Sequence, residues 1–434
     1  MKYATKSYLA FVSLALFFIV FLAGYSTSYF QVFKGSFLDN AMLAARAVYS
    51  QLTAYTNPYA SNRWINGPDA QSGVIKHDPS KASQGLTLYT SGDDTKAMLI
   101  DMEGNEIWRW ALPFREVWPT ADHLENVAKE GFLFWRKAVL YPNGDLLAIY
   151  DGAGVTPSGH GLAKIDKNSK LIWKFSDSVH HDVQIGEEGN IYALTYSFQH
   201  ETLKGLNWID PPMLVDSVVV LDPDGNEINR INIVDAIYSS PWSRLLRTAM
   251  PNTLGDYFHA NSVQPLSKEI AGAFDFAEPG QILVSLRELY AVVLLDPKTG
   301  KAVWGMRGPW LGQHDAELME NGHMLIFDNN GNMKGWAGIT RVLELNPLTH
   351  EIVWEYTGSV DERFSSQIRG AQQRLPNGNT LITESSNARL FEVTSDHEIV
   401  WDFRNPDRGV KDSAQIPILM WGQRYDRDNL FFLP

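Results

Sequence analysis

The sequence contains no cysteine, which excludes disulfide bonds, thiolate zinc sites and cysteine nucleophiles. It also lacks an excess of positive charge, because 37 Lys and Arg residues stand against 50 Asp and Glu residues and give a formal net charge of −13. Nucleic-acid binding depends on concentrated Lys and Arg, so we expect no nucleic-acid partner. A local cationic pocket remains compatible with an acidic chain, since single sites focus charge of either sign.

Several common catalytic and binding motifs are also missing. No GxSxG elbow, P-loop or dinucleotide fingerprint occurs between a strand and a helix. The run DPDGNE at 222–227 superficially resembles a calcium loop, but its Gly occupies the wrong position for an EF-hand. We interpret it as a hairpin turn, and the sequence predicts no cofactor.

The most apolar run lies close to the N-terminus. Residues 8–25 are uncharged and follow Lys2 and Lys6. About 18 residues just span a bilayer at about 1.5 Å per residue, and basic residues ahead of a span favour a cytoplasmic N-terminus. The sequence therefore predicts a single transmembrane helix within residues 1–30 that anchors the chain in the cytoplasmic (inner) membrane, with the rest in the periplasm. A cleaved signal peptide is the alternative, but the run exceeds a typical signal core and no A-x-A site follows it.

Residues 31–84 are expected to join this anchor to the body of the protein. Residues 40–52 carry apolar side chains at helical spacing and are rich in Ala, which predicts a short amphipathic helix. Residues 55–85 are punctuated by Pro, Gly and Asn, which predicts an irregular linker.

A loose repeat occupies residues 85–434. Its unit is an apolar strand, a polar turn and a second strand that usually ends in Trp, which is typical of a β-hairpin. The copies are LIDMEGNEIW (99–108), KIDKNSKLIW (164–173), VLDPDGNEIN (220–229), LLDPKTGKAVW (294–304), ELNPLTHEIVW (344–354) and EVTSDHEIVW (392–401).

A second hairpin precedes many of these copies. Its turns lie in YPNGDLLA (141–148), EEGNIYA (187–193), ENGHMLI (320–326) and LPNGNTLI (375–382). Two hairpins per unit make a four-stranded antiparallel sheet, and six such sheets closing in a ring leave no exposed edge. The fold prediction is an all-β, six-bladed β-propeller at 85–434 that follows a transmembrane helix. The repeated Trp residues are expected to pack blade on blade.

Histidines recur at one place in this repeat. His181 and His314 each lie eight residues before a turn Gly, Arg136 occupies the same place in another unit, and Arg369 lies beside it in a further unit. His259 begins the corresponding strand of the fourth unit. If these strands are innermost, their first residues converge at one mouth of the axial channel.

Two kinds of chemistry are compatible with a cluster of this composition. Three histidines suggest zinc, but the nearby arginines oppose a cation, and the Asp after each His is expected on the opposite face of its strand. We therefore expect no metal. A funnel rich in imidazole and guanidinium suits an anionic ester better, since a neutral imidazole attacks while cationic groups hold the oxygens.

The order of motifs resembles the bacterial arylsulfotransferases that act without the nucleotide sulfate donor. It comprises HHDV (180–183), HANSV (259–263), ILVSLR (282–287), QHDA (313–316) with FDNN (327–330), and IRGAQQRLPNGNTLI (368–382). The resemblance spans roughly residues 85–425. It implies a six-bladed propeller that moves a sulfuryl group from a phenolic sulfate ester to a phenol, through a sulfohistidine intermediate and ping-pong kinetics.

When the roles known in the family are matched to this sequence by the order of the motifs, the resemblance implies that His314 is the nucleophile. His181, His259 and Arg287 match the groups that bind the sulfuryl oxygens and assist the leaving phenolate. An unprotonated nucleophile predicts activity that falls below about pH 6.5. Of the two histidines at 180–181, register favours His181, while His180 is expected to face the other side.

Arg369 and Arg136 are candidates for further anion contacts, with a structural role as the alternative. Better-known members of the family carry an extra N-terminal β domain and a disulfide, whereas this chain has the apolar run and no cysteine.

Two other classes of function were considered. A non-catalytic propeller, acting as a scaffold or receptor subunit of an envelope assembly, fits the fold equally well, because propellers host many functions. A quinone-dependent dehydrogenase also uses repeated Trp, but six units are too few for its usual eight blades. The expected partners are a small aryl sulfate donor, a phenolic acceptor and the membrane, with an envelope complex or a homo-oligomer left open.

Overall fold

The computed structural model describes residues 12, 14–22, 24–26, 56–67, 71–156, 158–203, 205–249, 255–330 and 340–434. The chain divides into two compact units, residues 1–56 and 57–434. In the first unit, residues 14–22 and 24–26 are helical. No helix within the described ranges combines the length and apolar character needed to cross a membrane, so the transmembrane anchor stays a prediction. The helix expected at 40–52 lies outside the described residues.

The second unit is all-β. Its first strands are β1 (Trp64–Asn66), β2 (Gly73–His77), β3 (Leu86–Ser91), β4 (Lys96–Ile100), β5 (Glu106–Ala111), β6 (Leu133–Leu140), β7 (Leu146–Gly152), β8 (Gly159–Ile165) and β9 (Leu171–Phe175). The middle strands are β10 (Val179–Ile185), β11 (Ile191–Gln199), β12 (Met213–Leu221), β13 (Glu227–Asn232), β14 (Ala260–Pro265), β15 (Ile282–Leu286), β16 (Ala291–Asp296), β17 (Lys301–Arg307) and β18 (His314–Leu318). The last strands are β19 (Met324–Asp328), β20 (Arg341–Leu345), β21 (Ile352–Tyr356), β22 (Ala371–Arg374), β23 (Thr380–Glu384), β24 (Arg389–Val393), β25 (Ile399–Arg404), β26 (Gln415–Pro417) and β27 (Leu419–Tyr425).

These strands form six antiparallel blades within the described part of the chain. In order they are blade 1 (β27-β3-β4-β5), blade 2 (β6-β7-β8-β9), blade 3 (β10-β11-β12-β13), blade 4 (β14-β15-β16-β17), blade 5 (β18-β19-β20-β21) and blade 6 (β22-β23-β24-β25-β2). The all-β, six-bladed propeller expected from the repeats is confirmed.

The ring is closed by strands from both ends of this unit. β27 pairs with β3, so the last strand of the chain completes the first blade as its innermost member. β2 adds a fifth strand to the outer edge of blade 6, and β1 pairs with β26. Closure removes the open sheet edge between the first and last blades. Two strands therefore lie in the segment that was expected to be an irregular linker.

Burial explains why these segments form strands. The nine residues of the middle strand β12 are all buried, because neighbouring blades cover both faces of a middle strand. The outer strands are partly exposed, as in β9, and mix polar with apolar residues. The turn glycines, such as Gly189 with φ 80°, adopt a left-handed conformation that other residues take at a cost.

The recurrent Trp residues join one blade to the next. Four indole N–H groups donate to a carbonyl in the following blade: Trp108 to Lys167 at 2.9 Å, Trp173 to Pro223 at 3.1 Å, Trp354 to Ser395 at 2.9 Å and Trp401 to Met102 at 2.9 Å. In the copy without Trp, the amide of Asn229 donates to the carbonyl of Pro297 at 3.1 Å. The Trp positions therefore hold the blades together by hydrogen bonds as well as by packing.

Within the described residues of this unit, helical structure occurs as short connections. α-Helical turns cover Phe114–Val117, Ile233–Tyr238 and Lys268–Gly272, and 3-10 turns cover Pro58–Ala60, Ser243–Thr248, Arg287–Leu289, Ser385–Asn387 and Arg427–Asn429. The innermost strands β6, β10, β14, β18, β22 and β27 contact one another around the axis. Their first residues lie at one end of the channel.

Candidate active site

The innermost strands are irregular at the end where the channel opens. The strand pairing shifts between Trp135 and Ala138 in β6, between His180 and Val183 in β10, and between His314 and Glu317 in β18. β14 and β27 carry similar shifts near their starts. Such bulges redirect side chains and are frequent beside active sites.

Several non-glycine residues at this end adopt a left-handed backbone conformation, and four of them lie in the innermost strands or just before them. They are His181 with φ 54°, His259 with φ 53°, Asp315 with φ 50° and Arg369 with φ 62°. This region is unfavourable for residues with a Cβ, and the surrounding structure must hold them there. Their clustering in space, from four different blades, identifies this end of the channel as the candidate site.

A cavity of about 30 Å³ lies at this place. It is lined by Arg136, Lys137, His181, Asp182, Asn261, His314, Asp315, Arg369, Gly370, Ala371, Met420 and Trp421. One water molecule needs about 10–15 Å³, so the cavity is the size of two or three water molecules. Four of the residues singled out in the sequence, His181, His314, Arg136 and Arg369, are brought together here.

His314 is held in one orientation by Asn329. The amide nitrogen of Asn329 donates to the carbonyl oxygens of Ser366 at 2.8 Å and Arg369 at 2.6 Å. Its Oδ1 therefore faces His314 and accepts the Nδ1–H at 2.7 Å. This arrangement places the remaining proton of the neutral imidazole on Nδ1 and leaves the lone pair of Nε2 unprotonated.

His181 and His259 form the second part of the site. Their ring centroids lie 4.8 Å apart, and Nδ1 of His259 donates to Asp256 at 2.5 Å. His180 does not line the cavity, because its ring stacks on Tyr196 at 4.1 Å and its Nδ1 lies 2.8 Å from Nδ1 of His181. The structure therefore places His180 behind His181 with respect to the cavity.

Arg287 lies at the rim of this group. Its backbone N–H donates to the carbonyl of His259 at 3.0 Å, and its guanidinium forms an ion pair with Glu288. Arg287 does not line the cavity itself, but its charge acts on His314.

Burial favours the neutral form of the His314 and His181 imidazoles. Burial, together with the positive charge of Arg287, holds the pKa of His314 well below its ordinary value of 6.5, although the hydrogen bond to Asn329 opposes this shift. Burial and the charge of Arg136 likewise hold the pKa of His181 well below 6.5. A neutral imidazole is the form that acts as a nucleophile.

The sequence reasoning was wrong about the Asp residues that follow His181 and His314. They were expected on the opposite face, yet Asp182 and Asp315 line the same cavity as the two histidines. The cause is the bulge in each strand, which breaks the alternation of side chains. The bulges also differ: β10 carries two extra residues and β18 carries one, so His180, not His181, pairs as His314 does.

The sequence reasoning also missed the floor of the cavity. Lys137 forms an ion pair with Asp182 at 2.6 Å, and Asp315 accepts the backbone N–H of Gln372 at 2.9 Å. Burial raises the pKa of Asp315 to about 6 and that of Glu317 to about 8. Within the described ranges, no three or more His, Asp or Glu side chains are grouped to hold a metal ion.

A family model described as Arylsulfotransferase (ASST) matches residues 137–406, more than half of the chain. The chain belongs to the arylsulfotransferase family. This match supports sulfotransferase activity in general, and the matched range includes His181, His259, Arg287 and His314. No curated protein matches the chain.

Similar solved structures are distant. A protein of unknown function from Bacteroides caccae is 13% identical over 77% of this chain and 99% of its own, with a TM-score of 0.48. A streptogramin B lyase is 13% identical over 80% of this chain and 87% of its own, with a TM-score of 0.42. A virginiamycin B lyase from Staphylococcus aureus is 11% identical over 80% and 88%, with a TM-score of 0.42. At these values the similarities carry no argument about function.

Proposed function

We propose that this arylsulfotransferase family member moves a sulfuryl group from a phenolic sulfate ester to a phenol or other hydroxyl acceptor, through a sulfohistidine on His314. The observation that carries the proposal is the hydrogen bond between Nδ1 of His314 and Asn329 at 2.7 Å. It leaves the lone pair of Nε2 unprotonated on an imidazole that lines a cavity flanked by cationic side chains.

In the first half-reaction, Nε2 of His314 attacks the sulfur of the bound ester. The new S–N bond forms as the S–O bond to the aryl ring breaks, and the phenolate leaves with the electron pair. His181, His259 and Arg287 hold the sulfuryl oxygens and stabilise the charge on the departing oxygen.

In the second half-reaction, the hydroxyl oxygen of the acceptor attacks the same sulfur. The S–N bond breaks, its electron pair returns to Nε2, and the hydroxyl proton passes to a basic group of the site. Transfer of this kind is expected to follow phosphoryl transfer, in which positioning and electrostatics dominate a loose transition state. Asn329 and Asp256 contribute to this positioning, because their hydrogen bonds fix the rings of His314 and His259.

We also propose that the enzyme acts at the outer face of the cytoplasmic membrane, in the periplasm, with residues 1–30 as its anchor. The support is the uncharged run at 8–25 that follows Lys2 and Lys6.

The test is turnover by the full-length protein in detergent. 4-Nitrophenyl sulfate is the donor and phenol the acceptor, and release of 4-nitrophenolate is followed together with formation of phenyl sulfate. His314→Ala should abolish both, whereas His77→Ala, at the outer edge of blade 6, should leave both intact. If the protein turns over neither this donor nor other aryl sulfates, the result would favour a non-catalytic scaffold instead.

A further inference from the structure

One side of the cavity is lined by residues that are not among those matched to sulfuryl transfer. The residues matched to that chemistry come from blades 3, 4 and 5. Arg136 comes from β6 of blade 2, and Arg369 directly precedes β22 of blade 6. Both arginines line the cavity from the side opposite blade 4.

Neither guanidinium is matched by a carboxylate at contact distance. Within the described part of the chain, the guanidinium of Arg136 makes no hydrogen bond or ion pair, although its carbonyl accepts the hydroxyl of Thr90 at 3.3 Å. Among the residues that the structure describes, the guanidinium of Arg369 donates only to neutral oxygens of Asn62, the backbone O at 3.1 Å and Oδ1 at 3.0 Å.

Asp151 is the carboxylate whose charge acts on both arginines, and it is buried. Its Oδ1 accepts a hydrogen bond from the backbone N–H of the next residue, Gly152, at 2.8 Å. No ion pair joins Asp151 to either arginine among the described residues. Arg63 lies near the same carboxylate and donates to the carbonyl oxygens of Gly92 and Gly131.

Two cations are therefore confined in one small cavity. Burial and the charge of Arg136 lower the pKa of Arg369 to about 9, which leaves it protonated at neutral pH. Asp151 offsets these two charges only in part and forms no ion pair with either, and an anion that accepts hydrogen bonds from both guanidiniums would complete the compensation. Arg is suited to planar, bidentate recognition of carboxylate and to sulfate-like groups.

We propose that Arg136 and Arg369 form a second anion subsite, and that the natural donors or acceptors are phenolic compounds carrying a carboxylate or a further sulfate besides the transferred group. This inference rests on the proposed sulfuryl transfer for its account of the other half of the cavity. Asn62 serves as a positioning residue, because its two oxygens fix the plane of the Arg369 guanidinium.

The test compares donors of equal shape and different charge. 4-Carboxyphenyl sulfate and 4-carbamoylphenyl sulfate differ by one negative charge, and the ratio of their kcat/KM values is measured for the wild type. A charge-assisted hydrogen bond is expected to favour the carboxylate by about tenfold or more. Arg136→Gln and Arg369→Gln should bring the ratio towards one. Arg109→Gln, half-exposed on the outer strand of blade 1, is the matched control and should not change it.

A ratio near one in the wild type would overturn the inference, as would equal losses for both donors in the two variants, since the arginines would then act on the sulfuryl group or on folding. If the variants do not fold, the wild-type ratio decides alone. A binding measurement separates this inference from the proposed function. Should no donor turn over, tighter binding of 4-sulfobenzoate than of 4-carbamoylbenzenesulfonate would support the subsite while the transfer reaction fails, and equal binding would refute both.

Discussion

Asn329 offers the sharpest test of how the site is organised. It is fully buried, and its side chain makes three hydrogen bonds, one from His314 and two to the carbonyl oxygens of Ser366 and Arg369. Asn329→Ala removes the acceptor that selects the Nδ1–H form of His314. The competing form places the proton on Nε2, where it blocks attack on sulfur.

The size of the effect follows from this one hydrogen bond. A buried hydrogen bond contributes about 1–1.5 kcal/mol, and leaving its partner unsatisfied costs about 1–3 kcal/mol. Each 1.36 kcal/mol is a factor of ten in rate, so Asn329→Ala should lower kcat about 10- to 100-fold. Fold stability should also fall by about 1–3 kcal/mol, because two carbonyl oxygens lose their donors.

Asn329→Asp distinguishes a positioning role from a structural one. A carboxylate at this place favours the imidazolium of His314 and raises its pKa, so the acid limb of kcat/KM should move to higher pH. Asn379→Ala is the matched control, since that buried amide donates to Lys81 O at 2.9 Å and to Glu392 at 2.7 Å, in the turn at the other end of blade 6. It should destabilise the fold similarly and leave the pH profile unchanged. Wild-type kcat in Asn329→Ala, or an unmoved acid limb in Asn329→Asp, would refute the reasoning.

Three further outcomes are expected. Because burial and Arg287 hold the pKa of His314 well below 6.5, protonation removes the nucleophile only at lower pH, and a kcat/KM profile with its acid midpoint at or above 6.5 would contradict this. Burial raises the pKa of Glu317 to about 8 from an unfolded value near 4.5. The folded state therefore binds more protons between these pH values, and the free energy of unfolding falls as pH rises. In denaturant titrations, Glu317→Gln should reduce this fall by about 1–3 kcal/mol between pH 5.5 and pH 8.5, and an unchanged pH dependence would count against the prediction. Trp401→Phe should cost about 2–3 kcal/mol because it removes a buried hydrogen bond to Met102 O, whereas Trp354→Phe, at a half-buried position, should cost about 1 kcal/mol. Equal losses in thermal unfolding would argue against the proposed role of buried Trp hydrogen bonds between blades.

Much of the fold could be predicted from the sequence because each blade of the propeller has a similar pattern of strands and turns. The turns around Gly144, Gly189, Gly322 and Gly378 and the Trp-ended hairpins gave the number of blades and the position of the innermost strands. The ring closure was not readable in detail, since β2 and β27 pair with strands far away in sequence and carry no distinctive pattern of their own.

The sequence predicted which residues lie together in the candidate site. His181, His259 and His314 recur at strand starts, and strand starts of a propeller share one end of the channel. The side on which each residue points was not predictable, because the extra residues in a bulge interrupt the regular alternation of side chains, as Asp182 and Asp315 show. Asn329 carried a signal in FDNN at 327–330, but only the fold reveals that it holds His314.

Covalent capture of the sulfuryl group by His314 is the central step of the proposed reaction. The direct measurement is the mass of the protein after brief mixing with 4-nitrophenyl sulfate alone, followed by peptide mapping of the modified site. We expect one added SO₃ on His314, loss of this adduct when phenol is added, and no adduct in His314→Ala. Steady transfer from donor to acceptor without an adduct, or an adduct on another residue that His314→Ala retains, would contradict the account.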